Sequence, residues 1–464
     1  MALVFERMVT GGLGDLSYLI GDDARGIAAV IDPRADVDIY VELARRHQVA
    51  ITHILQTHVH EDFLCGATAL AARVGHASVY ASAEDAPRYG YAHEPVKDGD
   101  RFEFGGTLLT ARHTPGHTPE HLSFVVAESG KGRSPYAVFS GGSLLVNAAG
   151  RSDLLGSDHV QALTAAQYRT LRDVYLRLDD HVIVHPTHAH GSPCGAQIGE
   201  RLESTIGYER RFNPYLQCKN KGEFRRLSLQ SLPAKPSYYP RLKDANTRGD
   251  GLNGLPAIAA LPAPAFSERI KRRETVLVDT RNMLAFGGGH IAGALNIGAA
   301  AQLPIWAGWM LDANRPLLLV LENDDSVDEV LHLFVRTGFT RFAGYLAGGM
   351  TAWDNAGLPV VRTPQVTAAQ LHERPQDFTP VDVRSDGEWS SGHLPHATHI
   401  YLPELRSRAG EIAKNAHVIV YCDTGYRASI GASLLQQAGF PDVANLPGSI
   451  QAWKHAGYPV EQGP

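Results

Sequence analysis

The feature that most constrains what this chain can fold into is a duplication in its second half. LAGGMTAWDNAGLPV (346–360) aligns without a gap on LPGSIQAWKHAGYPV (446–460). Upstream, Val278-Asp279-Thr280-Arg281 matches Val381-Asp382-Val383-Arg384, Gly289-His290-Ile291 matches Gly392-His393-Leu394, and Gly338-Phe339 matches Gly439-Phe440. The period of about one hundred residues is far longer than a solenoid repeat, so two whole domains are copied. Each copy runs strand, turn, helix, strand, helix, the pattern of a small parallel-sheet α/β fold.

The rest of the chain has a different texture. Residues 1–228 alternate short β-branched runs (28–31, 51–55, 122–126, 181–184) with amphipathic stretches such as 163–178, and read as one large α/β domain. The segment 232–265 is rich in Pro, Gly, Asn and Asp without sustained periodicity and reads as a linker. The expected organisation is therefore a front domain over 1–230, a linker over 231–265, and repeats over 266–362 and 363–464. No run of eighteen apolar residues occurs, so no membrane-spanning segment is expected. A net charge of −6 gives no electrostatic reason to expect nucleic acid or an anionic membrane. Four cysteines in 464 residues cannot form a disulfide framework, and no secretory-signal pattern opens the sequence. The expectation is a cytoplasmic protein.

In the second repeat, the buried-strand run 417–421 ends at Cys422, and the loop Cys422-Asp423-Thr424-Gly425-Tyr426-Arg427 leads into a helical stretch. A cysteine between strand end and helix start meets unpaired N–H groups and the positive end of the helix dipole, which favours a thiolate and the persulfide anion formed on it. Gly425 lets the loop curl, and Arg427 supplies a fixed positive charge. A buried structural cysteine would not explain Gly and Arg at loop spacing. A cysteine phosphatase places five residues between Cys and Arg, whereas four stand here, a cradle too tight for a phosphoryl group yet adequate for one sulfur atom.

The segment 365–464, with its VDVR strand, Gly392-His393 turn, CDTGYR loop and LPGSIQAW ending, resembles the rhodanese family. The resemblance implies Cys422 as the persulfide-forming nucleophile and Arg427 as support for the loop anion. Asp423, Thr424, Gly425 and Tyr426 are expected to contact substrate, and Asp382 and Arg384 to hold the fold. In the first repeat Cys422 corresponds to Leu321 and Arg427 to Ser326, and the loop 321–326 carries acids where an anion cradle needs neutral or positive groups. That copy is expected to be catalytically silent and structural, which favours a homo-oligomer.

Fourteen of the 22 histidines lie in the first 190 residues. Thr57-His58-Val59-His60-Glu61-Asp62 follows a strand, and an H-x-H-x-D spacing on an extended turn aims two imidazoles at one point. Two further motifs follow, His113-Thr114-Pro115-Gly116-His117-Thr118-Pro119-Glu120-His121 and His185-Pro186-Thr187-His188-Ala189-His190. Three such motifs at strand ends resemble the metallo-β-lactamase superfamily, which implies an αββα sandwich with a metal at one edge. His58, His60, His117 and His188 map to its ligand positions. Phe63 stands where dinuclear members have a histidine, and Gly142 where they have a bridging aspartate. A two-zinc hydrolase is therefore disfavoured and one metal is expected, through His58, His60 and His117. Asp62, Asp153 and His188 are alternative ligands. Cys65 and Cys194 read as packing residues.

A metallo-β-lactamase domain followed by a silent and an active rhodanese is similar to the persulfide dioxygenase–sulfurtransferase fusions. The resemblance implies one mononuclear metal, Fe(II) ahead of zinc or an empty site. It also implies oxidation of a low-molecular-weight persulfide such as glutathione persulfide to sulfite, coupled to sulfur transfer through Cys422. The partners would be small thiols, persulfides, sulfite and thiosulfate. Arg151 is the residue expected to meet a substrate carboxylate, with an ion-pair role as its equal. Two other readings stay open: a sulfurtransferase whose front domain only binds or scaffolds, and a one-metal thioester hydrolase.

Overall fold

The computed structural model describes residues 3–84, 88–129, 134–230 and 232–463. Two compact units emerge, Met1–Leu255 with Val335–Gly338, and Pro256–Phe334 with Phe339–Pro464. Among the described residues no helix is long and apolar enough to cross a membrane.

The first unit is built on two six-stranded sheets. One orders Leu3–Thr10, Asp15–Asp22, Ile27–Ile31, Ala50–Leu55, Ser78–Ser82 and Glu94–Val96; the other orders Ser204–Thr205, Ile183–Pro186, Pro135–Gly141, Leu122–Glu128, Thr107–His113 and Arg101–Phe104. Strand Asp15–Asp22 is buried along its whole length. Its period of two sends Leu16, Tyr18 and Ile20 into the core between the sheets and Leu19 toward the outer layer. Tyr40, Leu43 and Ala44 of helix Asp38–Arg46 bury at helical spacing over that outer face. Helices Ser157–Asp173 and Lys221–Leu229 cover the opposite sheet through Leu171 and Phe224. The result is the expected αββα sandwich, and the three histidine motifs all follow strand ends, after Ala50–Leu55, Thr107–His113 and Ile183–Pro186.

The segment 231–265 differs from the expected linker. It contains helix Tyr239–Arg248, which begins with Pro240 in its first turn and stops at Gly249 in the left-handed conformation. Those two residues give the stretch its loop-like texture, yet both are favourable at helix ends. Farther on, Ala260–Leu261 is already an edge strand of the next sheet.

The second unit holds both repeats. The first has the order Ala260–Leu261, Phe342–Leu346, Leu317–Val320, Val276–Asp279, Leu295–Asn296, and the second Thr398–His399, Thr379–Asp382, Val418–Tyr421, Val443–Asn445; every pairing is parallel. The same devices recur in each. Arg281 chelates Asp279 and donates to Gly289 O at 2.8 Å, while Arg384 chelates Asp382 and donates to Gly392 O at 2.9 Å. The Trp353 and Trp453 indoles donate to Pro359 O and Pro459 O at 3.0 and 2.8 Å. Asp279 pairs with Val320 and Asp382 with Tyr421, so the ladders put Leu321 and Cys422 at equivalent strand ends.

Candidate functional site

The histidine cluster is organised by what each ring does with its Nδ1. Asp32, buried at the end of strand Ile27–Ile31, accepts the Thr57 backbone N–H at 2.8 Å and the Thr57 and Thr187 hydroxyls at 2.7 and 2.6 Å. With its proton spent on Asp32, the Thr57 hydroxyl accepts from His58 Nδ1 at 2.8 Å. His117 Nδ1 lies 2.8 Å from Arg151 O, a carbonyl that only accepts, so it too carries a proton. His188 Nδ1 lies 2.9 Å from Asp15 Oδ1 and 3.0 Å from Asp62 Oδ2. The network thus assigns the Nδ1–H edge of all three rings to neighbours and leaves Nε2 as the atom each ring could offer to a metal.

The three rings lie together. Ring centroids of His58, His117 and His188 are 4.9, 5.5 and 5.5 Å apart, each pair edge-to-face, with one ligand atom from each within 4.8 Å of the others. His58 Nε2 and His188 Nε2 are buried without a hydrogen-bond partner among the described residues. Burial, with the neighbouring imidazoles, pushes His58 well below the usual histidine range and His117 down to about 3, so both rings are neutral. Burial would lower His188 as well, but Cys194, Asp62 and Asp15 together hold it well above that range. Burial raises Asp62, an effect outweighed by His188, which leaves this carboxylate ionised. Three imidazole nitrogens within 4.8 Å of one another fit a single divalent first-row metal with open positions.

His60 is placed differently. Its Nε2 stands 3.1 Å from Asp32 Oδ1, and it groups with Asp32 and His58 on one side and with Asp62 and His188 on the other. Phe63 packs against the His60 ring with centroids 4.4 Å apart. His121 Nε2 accepts the Gly142 N–H at 2.9 Å, so its lone pair is spent. A Cβ at Gly142 would lie 2.4 Å from His117 Cδ2 and 2.8 Å from its Nε2. The close approach of this ring is what residue 142 must accommodate, and no carboxylate can stand there with His117 as it is. Asp153 is bound by Arg151 rather than facing the cluster.

Arg151 is buried and fully engaged. It grips Asp153 through Nε at 2.7 Å and Nη2 at 2.8 Å, and donates to Pro193 O and Pro233 O at 2.9 and 3.1 Å. Its carbonyl holds His117, so its visible work is to fix that ring. Cys65 accepts from Gln56 at 3.1 Å, and burial pushes its thiol up to about 12. Cys194 lies 3.4 Å from Asp62 Oδ2 and 3.6 Å from the Tyr239 hydroxyl, its thiol pushed up by burial to about 11. Asp15, Asp32 and Asn246 escaped the reading of the sequence. An aspartate directly after the apolar run 27–31 was the one available signal for Asp32.

At the second site, strand Val418–Tyr421 delivers Cys422 to the start of helix Tyr426–Gln437. Gly425, at φ 113°, turns its N–H onto Cys422 Sγ at 3.1 Å. The Ser449 hydroxyl accepts the Cys422 N–H at 3.0 Å and lies 3.9 Å from its sulfur. Asp423 accepts from Gln451 at 2.8 Å, Thr424 is exposed at the loop tip, and the Tyr426 hydroxyl donates to Gly298 O of the first repeat at 2.8 Å. Arg427 is clamped by Glu388 through two hydrogen bonds of 2.8 and 2.6 Å. Burial raises the Glu388 carboxyl, but the Arg427 hydrogen bonds and charge prevail and hold it at about 2. Ser385 and Glu388 form a capping box on helix Asp386–Ser390, so S-D-G-E was a sequence signal that pointed to this glutamate. In the first repeat Leu321 is buried at the matching position, and Asp324 accepts the Gly348 N–H at 3.0 Å.

Comparison with known proteins agrees with this division. The model of the metallo-beta-lactamase superfamily matches residues 10–130, and that of the rhodanese-like domain matches 263–356 and 364–456. Persulfide dioxygenase ETHE1 of Bos taurus is 27% identical over 239 residues, 50% of this chain and 83% of that protein. A hydroxyacylglutathione hydrolase of Thermosynechococcus vestitus is 28% identical over 213 residues, 44% of this chain and 84% of that protein. The crystal structure of a metallo-beta-lactamase from Staphylococcus aureus superposes with a TM-score of 0.66 at 28% identity, covering 75% of this chain and 98% of that one.

Proposed function

Because the chain is a fusion of a metallo-β-lactamase-superfamily domain with two rhodanese-like domains, we propose that it moves sulfane sulfur through Cys422 and oxidises a low-molecular-weight persulfide at the histidine cluster. The observation that carries the first half is the Cys422 cradle, in which a backbone N–H already points at the sulfur. The Cys422 thiolate attacks the outer sulfur of thiosulfate, forming Cys–S–S⁻ and expelling sulfite. The Gly425 N–H and the helix N-terminus stabilise the persulfide anion. A thiolate acceptor then attacks the outer sulfur, leaves as its own persulfide and regenerates Cys422. Glu388 positions Arg427 beside the loop.

In the front domain, Fe(II) supplies the redox chemistry that lets O2 react with a closed-shell persulfide. The net change is one persulfide anion, O2 and water giving thiol, sulfite and a proton. The chain's own part is to hold three imidazoles by their Nδ1 edges and to bury the Nε2 atoms of His58 and His188 without a hydrogen-bond partner among the described residues. Support for this reading lies in the similarity to a persulfide dioxygenase and in the rhodanese-like domains of the same chain. Incubation with thiosulfate should add one sulfur atom to the intact mass at Cys422, and Cys422→Ser should gain none and transfer none. An unchanged transfer rate in that variant would overturn the assignment.

A comparable likeness to a hydroxyacylglutathione hydrolase favours a second reading, thioester cleavage at one metal. Cleavage of a glutathione thioester that persists without O2, in protein that consumes no O2 with glutathione persulfide, would select it.

A further inference from the structure

We propose that this chain holds its single metal through His58, His117 and His188, with Asp15 and Asp62 supporting His188 and with His60 outside the set. The inference deepens the metal half of the reading above and rests on it only for the presence of a metal. Nothing in it depends on the substrate.

One ligand atom of each of the three rings lies within 4.8 Å of the others, and because an acceptor occupies Nδ1 in each ring, Nε2 is the atom left to ligate. Such a partner fixes the tautomer and raises the donor strength of the ligating nitrogen. The rival group His60, Asp62 and His188 is excluded by His188 itself. Asp62 meets His188 at its Nδ1, on the side of the ring away from Nε2, so a metal at Nε2 is not a metal at Asp62. Both ring nitrogens of His60 are buried without a hydrogen-bond partner among the described residues, but its Nε2 stands 3.1 Å from Asp32 Oδ1, on a carboxylate that already accepts three hydrogen bonds from two threonines. Its ligand atom does not group with that of His117. Gly142 completes the argument, because the His117 ring fills the space that a side chain at 142 would need. His188 thus replaces the ligand that residue 142 cannot supply.

The test is an anaerobic Co(II) titration of the full chain stripped of metal, read by absorbance against a competing chelator. Wild type should bind one Co(II). His58→Gln, His117→Gln and His188→Gln should each weaken binding beyond the roughly 10–100-fold that losing an outer partner costs, and Asp15→Asn should fall inside that range. His60→Gln should stay below about tenfold. If His188→Gln does not fold, Asp15→Asn decides, because it preserves size and replaces the carboxylate that meets His188 Nδ1. Loss of binding in His60→Gln with retention in His188→Gln or Asp15→Asn would overturn the assignment, as would two Co(II) per chain or none. The expected ranking without O2 uptake on glutathione persulfide would retire the oxidation reading and keep the ligand set.

Discussion

Removing the charge of Glu388 separates two effects that its pairing with Arg427 combines. The carboxyl titrates near 2 in the folded chain against an ordinary value of 4.5. Its contribution to stability is complete above 4.5 and is lost as pH falls from there toward 2. Glu388→Gln should therefore flatten the fall in melting temperature over that window, measured at pH 6 and pH 3. Glu388 is partly exposed, which weakens the pair. A charged hydrogen bond is worth about 1.5–3 kcal/mol, so a loss of sulfur transfer on the order of tenfold is expected at neutral pH. An unchanged rate would mean that Arg427 needs no positioning. Cys422 and Arg427 were legible in the sequence because strand, loop and helix are contiguous there. Asp15 was not, since it meets His188 across 173 residues and nothing local marks it.

Among the elements, helix Tyr239–Arg248 shows where local texture misleads. Its end residues look like a linker, but Asn246 donates to His60 O and Phe63 O and accepts from Cys65 N, all at 2.8 Å. Lys243 pairs with Glu61 on the same loop. Asn246→Ala strands three buried backbone groups and should cost about 1–3 kcal/mol for each one left unpaired. Urea denaturation should show the loss, with Co(II) affinity falling in step; full stability would contradict it. In the repeats, helix Tyr426–Gln437 is locked from the first repeat. Ser429 donates to Asn296 Oδ1 at 2.5 Å, Asn296 N–H donates to Ser433 Oγ at 3.2 Å, and the Met283 sulfur sits against Gly425. A Cβ at Gly425 would come within 2.8 Å of that sulfur at a backbone angle that disfavours any side chain. Gly425→Ala should lower sulfur transfer at least as far as Glu388→Gln does, and Asn296→Ala more mildly. Wild-type rates in both would mean the first repeat plays no part in holding the loop.

For the whole molecule, the duplication was legible because the repeated residues are the ones that build each fold. The Asp–Arg chelate and the Trp–carbonyl bond recur with nearly the same lengths. The αββα front domain was legible from its strand runs and histidine motifs. The grouping of its histidines was not, because it depends on which edge of each ring is already bonded. On the proposed reading the two sites act in sequence: Cys422 makes from thiosulfate and glutathione the persulfide that the front domain consumes. The most direct test is O2 uptake by iron-loaded wild type and Cys422→Ser, each fed either thiosulfate plus glutathione or preformed glutathione persulfide. Wild type should consume O2 on both feeds and Cys422→Ser on the preformed persulfide alone. No uptake by wild type on glutathione persulfide would contradict the oxidation, and uptake by Cys422→Ser on thiosulfate plus glutathione would contradict the coupling through Cys422.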